Sequence, residues 1–383
     1  MPSHSEIVRF IRQLYKQADG QIPLHAPVFR GHEKEYIAEC IESTFVSSVG
    51  KFVTEFEEQM AAYTGVKRAV ACVNGTNAIH LALRLVGVEK GTEVITQPLT
   101  FIATANAIAY CDAAPIFVDV DRDTLGLSPG ALLHFLETTT YADQSSGRTI
   151  NAVTGKPISA CIPMHTFGHP GRIDEIIAIC DRYKIPVIED AAESLGSFYK
   201  GRHTGTYGKI GVVSFNGNKI LTTGGGGMLL FMDEELGRMA KHLSTQAKIP
   251  HPWAFVHDEI GYNYRMPNLN AALGVAQLEQ LPKFLRSKRD LAARYKEFFS
   301  ATEYQFVDEP SGAVSNYWLN AIICKTQNER DAVLEYTNAN GIMTRPAWQL
   351  MNRLDMYAHC YCADIPNAKW LESRLINIPS SVI

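Results

Sequence analysis

The sequence predicts an α/β fold: a mostly parallel central sheet with helices on both faces, followed by a smaller α+β C-terminal domain. Three observations predict it. Short apolar runs alternate with helix-like runs from about residue 69 to residue 215, the rhythm of βαβ crossovers. After Asn263 that rhythm gives way to long helical periodicity and then a mixed tail. The chain has 383 residues, 46% of them hydrophobic and 20% charged, which is globular composition, too long for one ordinary domain and enough to bury a sizeable core. The expected division is a large domain with an N-terminal arm over 1–254 and a small domain over 255–383.

The elements follow in order. Ser5–Lys16 reads as a short amphipathic helix, and Ile22, Pro23 and Leu24 as an extended stretch after it. Glu33–Ser43 and Lys51–Tyr63 read as helices, separated by the small-residue loop Ser47-Ser48-Val49-Gly50. The alternation then runs strand Ala69–Val73, helix Thr76–Val86, strand Glu93–Thr96, helix Phe101–Tyr110, strand Ile116–Val120 and helix Pro129–Glu137. It continues with strand Ile158–Pro163, helix Ile173–Tyr183, and strands Pro186–Glu189 and Gly211–Phe215. The polar stretch Thr139–Gly155 reads as a surface excursion. Asn268–Glu279 and Lys283–Ser300 read as two helices, the second charged and solvated.

Charge and cysteine content exclude several classes. The net charge is −4, from 36 basic and 40 acidic residues, with no dense basic run to track a nucleic-acid backbone. Eight scattered cysteines, several in apolar surroundings, read as free thiols in a reducing compartment. His359-Cys360-Tyr361-Cys362 lacks structural-zinc spacing. His165 and His169 have helical metal-pair spacing, but Gly168 and Pro170 argue against a helix there, so no metal is expected. No apolar run is long enough to span a bilayer, and Met1–Gln17 has no signal-peptide core, so the expected location is the cytoplasm.

Three fragments carry the chemistry. Val73-Asn74-Gly75-Thr76-Asn77-Ala78 joins a strand to a helix start. Gly75 lets the backbone approach a ligand, and the free amides near Thr76 favour a phosphate. The same residues also suit an ordinary turn and cap. The apolar strand ending in Glu189-Asp190 puts Asp190 at a carboxyl edge, where ligands of parallel sheets gather; a helix cap is the plain alternative. Ser214-Phe215-Asn216-Gly217-Asn218-Lys219, followed by Gly224 to Gly227, places a lysine on a turn after an apolar strand. Partial desolvation there favours the neutral amine needed to form an imine, and Ser214 can offer its hydroxyl to a phosphate. The glycines match neither a Walker sequence nor a dinucleotide fingerprint. Together a phosphate cup, a strand-end acid and a sheltered lysine suggest pyridoxal 5'-phosphate, with Asp190 keeping the ring nitrogen protonated and Lys219 holding the aldehyde and moving the substrate proton.

In their order these motifs resemble the DegT/DnrJ/EryC1/StrS family of sugar aminotransferases, a branch of fold-type I pyridoxal-phosphate enzymes. The likeness runs from about Ile22 to Ile378-Pro379-Ser380-Ser381. It rests also on Ser47-Ser48-Val49-Gly50-Lys51, Thr100-Phe101-Ile102-Ala103-Thr104, Glu189-Asp190-Ala191-Ala192-Glu193-Ser194 and Gly261-Tyr262-Asn263-Tyr264-Arg265. Within the family the chain is most similar to the LegC-like group, on Met164–Pro170, Phe215–Gly227 and Pro250–Trp253. That likeness implies amination of the 4-keto carbon of a UDP-linked 4-keto-6-deoxy-N-acetylhexosamine, with glutamate as donor, feeding nonulosonic acid or bacillosamine-type sugars.

The resemblance implies that Gly75, Thr76 and Ser214 bind the phosphate, that Phe101 stacks on the pyridine ring, and that Asp190 and Lys219 act as above. It implies that Asn263 reaches the phosphate of a neighbouring subunit, hence a homodimer with shared sites. Arg265 is its candidate for contact with substrate or with that same loop, and Tyr317 and Trp318 are its candidates for lining the sugar pocket. Glu193 stands where the wider family often has Gln, near the cofactor's phenolic oxygen, where a carboxylate is repelled unless protonated or aimed at substrate. Two other classes compete: a sugar dehydratase on the same scaffold, which replaces the imine lysine with His, and a non-catalytic sugar-nucleotide binder, which has no need of Lys219 and Asp190 together.

Overall fold

A computed structural model describes residues 4–383. Seven strands form the central layer: β1 Arg68–Cys72, β2 Glu93–Thr96, β3 Ala114–Phe117, β4 Ile158–Ile162, β5 Ile188–Asp190, β6 Ile210–Ser214 and β7 Gly227–Phe231. β2 pairs in parallel with β3 and β4, and β5 with β6. Parallel bridges from Cys161 to Val187 and from Met164 to Asp190 join β4 to β5, giving the order β3-β2-β4-β5-β6-β7-β1. β7 is antiparallel to both β6 and β1. Sequence reasoning missed β7 because its glycine-rich approach reads as loop.

Both faces of the sheet are covered, and alternate residues serve opposite faces. Val70, Cys72, Val212 and Leu229 pack with Ile79, Leu83, Ile108 and Ala240 from the helices Gly75–Leu85, Ile102–Tyr110 and Glu234–Ser244. Their neighbours Ala69, Ala71, Val213 and Met228 face the other way, against Phe56, Met60 and Val275. Helix starts follow their caps. Asn74 accepts from the Asn77 amide at 2.8 Å, and Ser128 accepts from Ala131 ahead of Pro129.

The excursion at 139–155 holds a small hairpin, Thr140–Ala142 with Thr149–Asn151, whose turn is tied by Asp143 accepting from Ser145 and Ser146. The two helices expected over 268–300 are one helix, Asn268–Ser300, with Pro282 inside it. A helix-interior proline costs about 3 kcal/mol. Here buried residues on both sides of it, Val275, Leu278, Leu281, Phe284 and Leu291, carry the helix through. Beyond it lies an antiparallel sheet in the order Gln305–Phe306, Asn320–Ile323, Leu375–Ile378, Arg345–Pro346. The N-terminal helix His4–Tyr15 packs on this C-terminal layer: Ile7, Ile11 and Leu14 share a core with Tyr295, Phe299, Ile322 and Ile376. No helix among the described residues is long and apolar enough to cross a membrane, and no group of three or more His, Cys, Asp or Glu among them could hold a metal ion.

Candidate active site

At the carboxyl ends of β1, β5 and β6 lies a cavity of about 610 Å³. Gly75, Thr76, Phe101, Asp190, Glu193, Ser214, Lys219 and Trp318 all line it. One end is the strand-to-helix turn at Asn74–Thr76, where the first turn of the helix Gly75–Leu85 faces Ser214. A Cβ added to Gly75 would lie 3.0 Å from Ser214 Cβ and 3.2 Å from its Oγ, so glycine keeps this cradle open. Free helix-start amides, a hydroxyl and a gap between them are the donor set a phosphate needs.

Asp190 ends β5 and is buried. Its Oδ2 accepts from Thr104 Oγ1 at 2.7 Å, and its Oδ1 from the Ala192 amide at 3.2 Å. Burial raises its acid above the ordinary carboxylate value, and these two donors work against that rise. A carboxylate so placed, lining the cavity, fits a cationic ring N–H. Phe101, half exposed, sits at the head of the helix that carries Thr104, with Trp348 at 6.2 Å between ring centroids.

Lys219 lies in the loop between β6 and β7, on a turn closed by its own amide to Asn216 O at 2.9 Å. Its side chain is 11% exposed. Nζ donates to Glu193 Oε1 at 3.2 Å and stands 3.9 Å from the centre of the Trp318 ring. Glu193 is buried, and its Oε2 accepts from the Phe167 amide at 2.9 Å. Burial pushes its acid up to about 7, against the pull of Lys219. Asn316 ties this corner together. It donates to Glu193 O and Leu195 O, both at 2.9 Å, and accepts from Trp318 N at 2.7 Å. Trp318 in turn donates through Nε1 to Asn218 O at 2.8 Å.

Three expected residues lie elsewhere. Tyr317, expected on the sugar pocket, turns away from it. Its hydroxyl donates to Asp308 at 2.8 Å and its ring meets His169, because the chain reverses facing between consecutive residues and Trp318 takes the cavity side. Asn263 and Arg265 are joined side chain to side chain at 3.0 Å, outside this cavity; Arg265 lines a separate hollow with Thr245, Lys248, Pro250, His251 and Pro252. Sequence reasoning gave no role to Thr104, Leu24, Arg345, Trp348 or Asn377, all of which line the main cavity. Thr104 closes the stretch Thr100–Thr104 already marked in the sequence, and its hydroxyl also lies 3.1 Å from that of Thr100. The others arrive from segments distant in sequence, with no local mark.

The model of the DegT/DnrJ/EryC1/StrS aminotransferase family matches residues 28–382. EpsN of Bacillus subtilis (strain 168), described as a pyridoxal phosphate-dependent aminotransferase, is 40% identical over 88% of this chain and 84% of its own. The GDP-perosamine synthase of Escherichia coli O157:H7 is 38% identical over 94% and 93%. Among solved structures, the aminotransferase TlmJ of Streptoalloteichus hindustanus superposes with a TM-score of 0.85 at 28% identity, covering 94% of each chain. The chain belongs to the DegT/DnrJ/EryC1/StrS aminotransferase family, fold-type I enzymes whose cofactor is pyridoxal phosphate.

Proposed function

We propose that the protein moves an amino group from glutamate to the 4-keto carbon of a UDP-linked 4-keto-6-deoxy-N-acetylhexosamine, in the cytoplasm and as a homodimer. The product would serve nonulosonic acid or bacillosamine-type sugar synthesis. The observation that carries the aminotransferase reading is the joint presence of Lys219 and Asp190 on one cavity whose far end is the Gly75–Ser214 cradle. A dehydratase of this scaffold has His in place of the lysine, and a mere binder needs neither charge.

Bound there, pyridoxal phosphate supplies an aldehyde that links to amines and a ring that draws electrons from the bond being broken. The chain's own residues do the rest. Gly75, Thr76 and Ser214 would hold the phosphate, and Phe101 would cover the ring. Asp190 would keep a proton on the ring nitrogen, because the donors Thr104 and Ala192 stabilise its charged form against burial and a charged carboxylate favours a neighbouring N–H cation. Lys219 would hold the aldehyde end, and its Nζ would move a proton during the reaction. Trp318 covers the amine and excludes water from it. Asn263 and Arg265 serve the partner's site across the dimer. We take 1–254 and 255–383 as the large and small domains.

A second reading has an observation in its favour: a GDP-linked keto-sugar as acceptor, since a 38%-identical relative is a GDP-perosamine synthase. One experiment separates the two. The protein is incubated with glutamate and either a UDP-linked 4-keto-6-deoxy-N-acetylhexosamine (both C4-product configurations resolved by NMR) or a GDP-linked 4-keto-6-deoxyhexose. Amination of the UDP sugar alone supports the first reading, and of the GDP sugar alone the second. Amination of neither by cofactor-loaded protein overturns both.

A further inference from the structure

We infer that Glu193 is the base that takes the ammonium proton of Lys219, leaving the amine neutral when the cofactor's aldehyde arrives. The inference rests on the cofactor reading above and assigns Glu193 a proton-transfer role beyond contact with the ring.

The geometry leaves one route. Oε1 of Glu193 lies 3.2 Å from Nζ, and the carboxylate cannot swing away because the Phe167 amide holds its other oxygen at 2.9 Å. The Glu193 side chain is 1% exposed and that of Lys219 11%, so the pair is largely sheltered from bulk water. On another side the ammonium meets the Trp318 ring, which stabilises a cation but accepts no proton. The step balances simply. An Nζ–H bond breaks, an O–H bond forms on Oε1, and the electron pair stays on nitrogen, where it serves as the nucleophile. Two buried opposite charges become two neutral groups, a change that low-dielectric surroundings favour.

The neighbouring titratable groups are poorer acceptors. Asp190, on the same turn, has its oxygens engaged by Thr104 and Ala192, and His165 lies beyond it, bonded to Glu189 at 3.0 Å. His25, from the N-terminal stretch, is a weak base because burial, Lys288 and Lys219 all disfavour its cation. Lys288, from the long helix, has its Nζ engaged by Trp318 O at 3.1 Å and Ser380 O at 2.5 Å and not by Lys219, and Arg345 at the cavity wall offers donors only. Burial also leaves Glu193 close to balance between its two forms near neutral pH, as a proton acceptor and donor must be.

The test follows capture of pyridoxal 5'-phosphate by cofactor-free protein, by rapid-mixing absorbance and by mass after borohydride reduction, across about pH 5.5 to 9. The wild-type rate should rise through neutral pH and then level. Glu193→Gln keeps an acceptor for the Phe167 amide but cannot take a proton. It should capture cofactor roughly 100-fold more slowly at neutral pH and lack the inflection. Glu193→Asp retracts the carboxylate and should fall between them with the inflection retained; it carries the test if the glutamine variant fails to fold. Capture by Glu193→Gln at the wild-type rate and with the wild-type profile overturns the role of Glu193 alone, as does a flat profile in the wild type. Absence of capture by the wild type overturns the cofactor reading and this inference together.

Discussion

Replacing Thr104 by Val tests how Asp190 is held. Valine keeps the volume and branching, so the change removes a hydroxyl and opens almost no cavity. What is lost is a 2.7 Å hydrogen bond to a buried carboxylate, together with a 3.1 Å contact to Thr100. A hydrogen bond to a charged group contributes about 1.5–3 kcal/mol, against about 1 kcal/mol for a neutral one. Burial holds the Asp190 acid above its unfolded value, so the cofactor-free fold loses stability as pH rises through that raised value. Thr104 limits this loss. Its removal raises the acid further, so the penalty should be fully developed at about pH 8, at roughly 2–3 kcal/mol, and shrink toward about 1 kcal/mol once Asp190 is protonated. The assay is urea unfolding of cofactor-free protein followed by circular dichroism at several pH values, with Thr104→Ser as the hydroxyl-retaining control. Equal penalties for Val and Ser, or a Val penalty that does not change with pH, would refute the reasoning.

Three further outcomes are expected. Lys219→Ala should still bind cofactor through the phosphate cradle but show no turnover and no borohydride-fixed mass; a fixed adduct on another lysine would remove Lys219 from its role. Gly75→Ala puts a Cβ 3.0 Å from Ser214 Cβ and should weaken cofactor binding about tenfold or more in equilibrium dialysis, some 1.4 kcal/mol; unchanged affinity would move the phosphate elsewhere. Lys288 is fully buried, donating to Trp318 O at 3.1 Å and Ser380 O at 2.5 Å, with burial holding its ammonium down to about 7. Its folded value lies below its unfolded one, so the wild type should gain stability over Lys288→Met as pH rises from about 7 to about 10. Parallel urea midpoints over that range would show that the charge is tolerated without cost.

Much of this molecule is legible in its sequence because the sheet is buried on both faces and its strands are short apolar runs between turn residues. β1 to β6 and the flanking helices fall within a few residues of their expected places. β7 escaped because Gly224 to Gly227 look like loop, and only pairing with β1 and β6 makes Gly227 a strand residue. The two helices expected over 268–300 run as one, because packing on both sides of Pro282 carries the helix through it. At the site, residues next to chain landmarks were readable: Gly75 after a strand, Asp190 at a strand end, Lys219 on a turn. Trp348 and Asn377 were not, since their approach to the cavity depends on how the C-terminal layer docks. Tyr317 and Trp318 are adjacent, and their pattern alone could not say which faces inward.

The reversed strand β7 has a consequence of its own. A parallel successor to β6 would need a crossover and would start from the opposite rim of the sheet. The antiparallel return instead pairs Ser214 with Gly227, so the stretch bearing Lys219 is a short arch with both feet on adjoining strands. Cutting that arch, as in a circular permutant opened between Gly224 and Gly225, should leave the strand order assembled while setting the lysine on a loose end. Assembly and chemistry, coupled in the intact chain, would then be separable by a single relocated break.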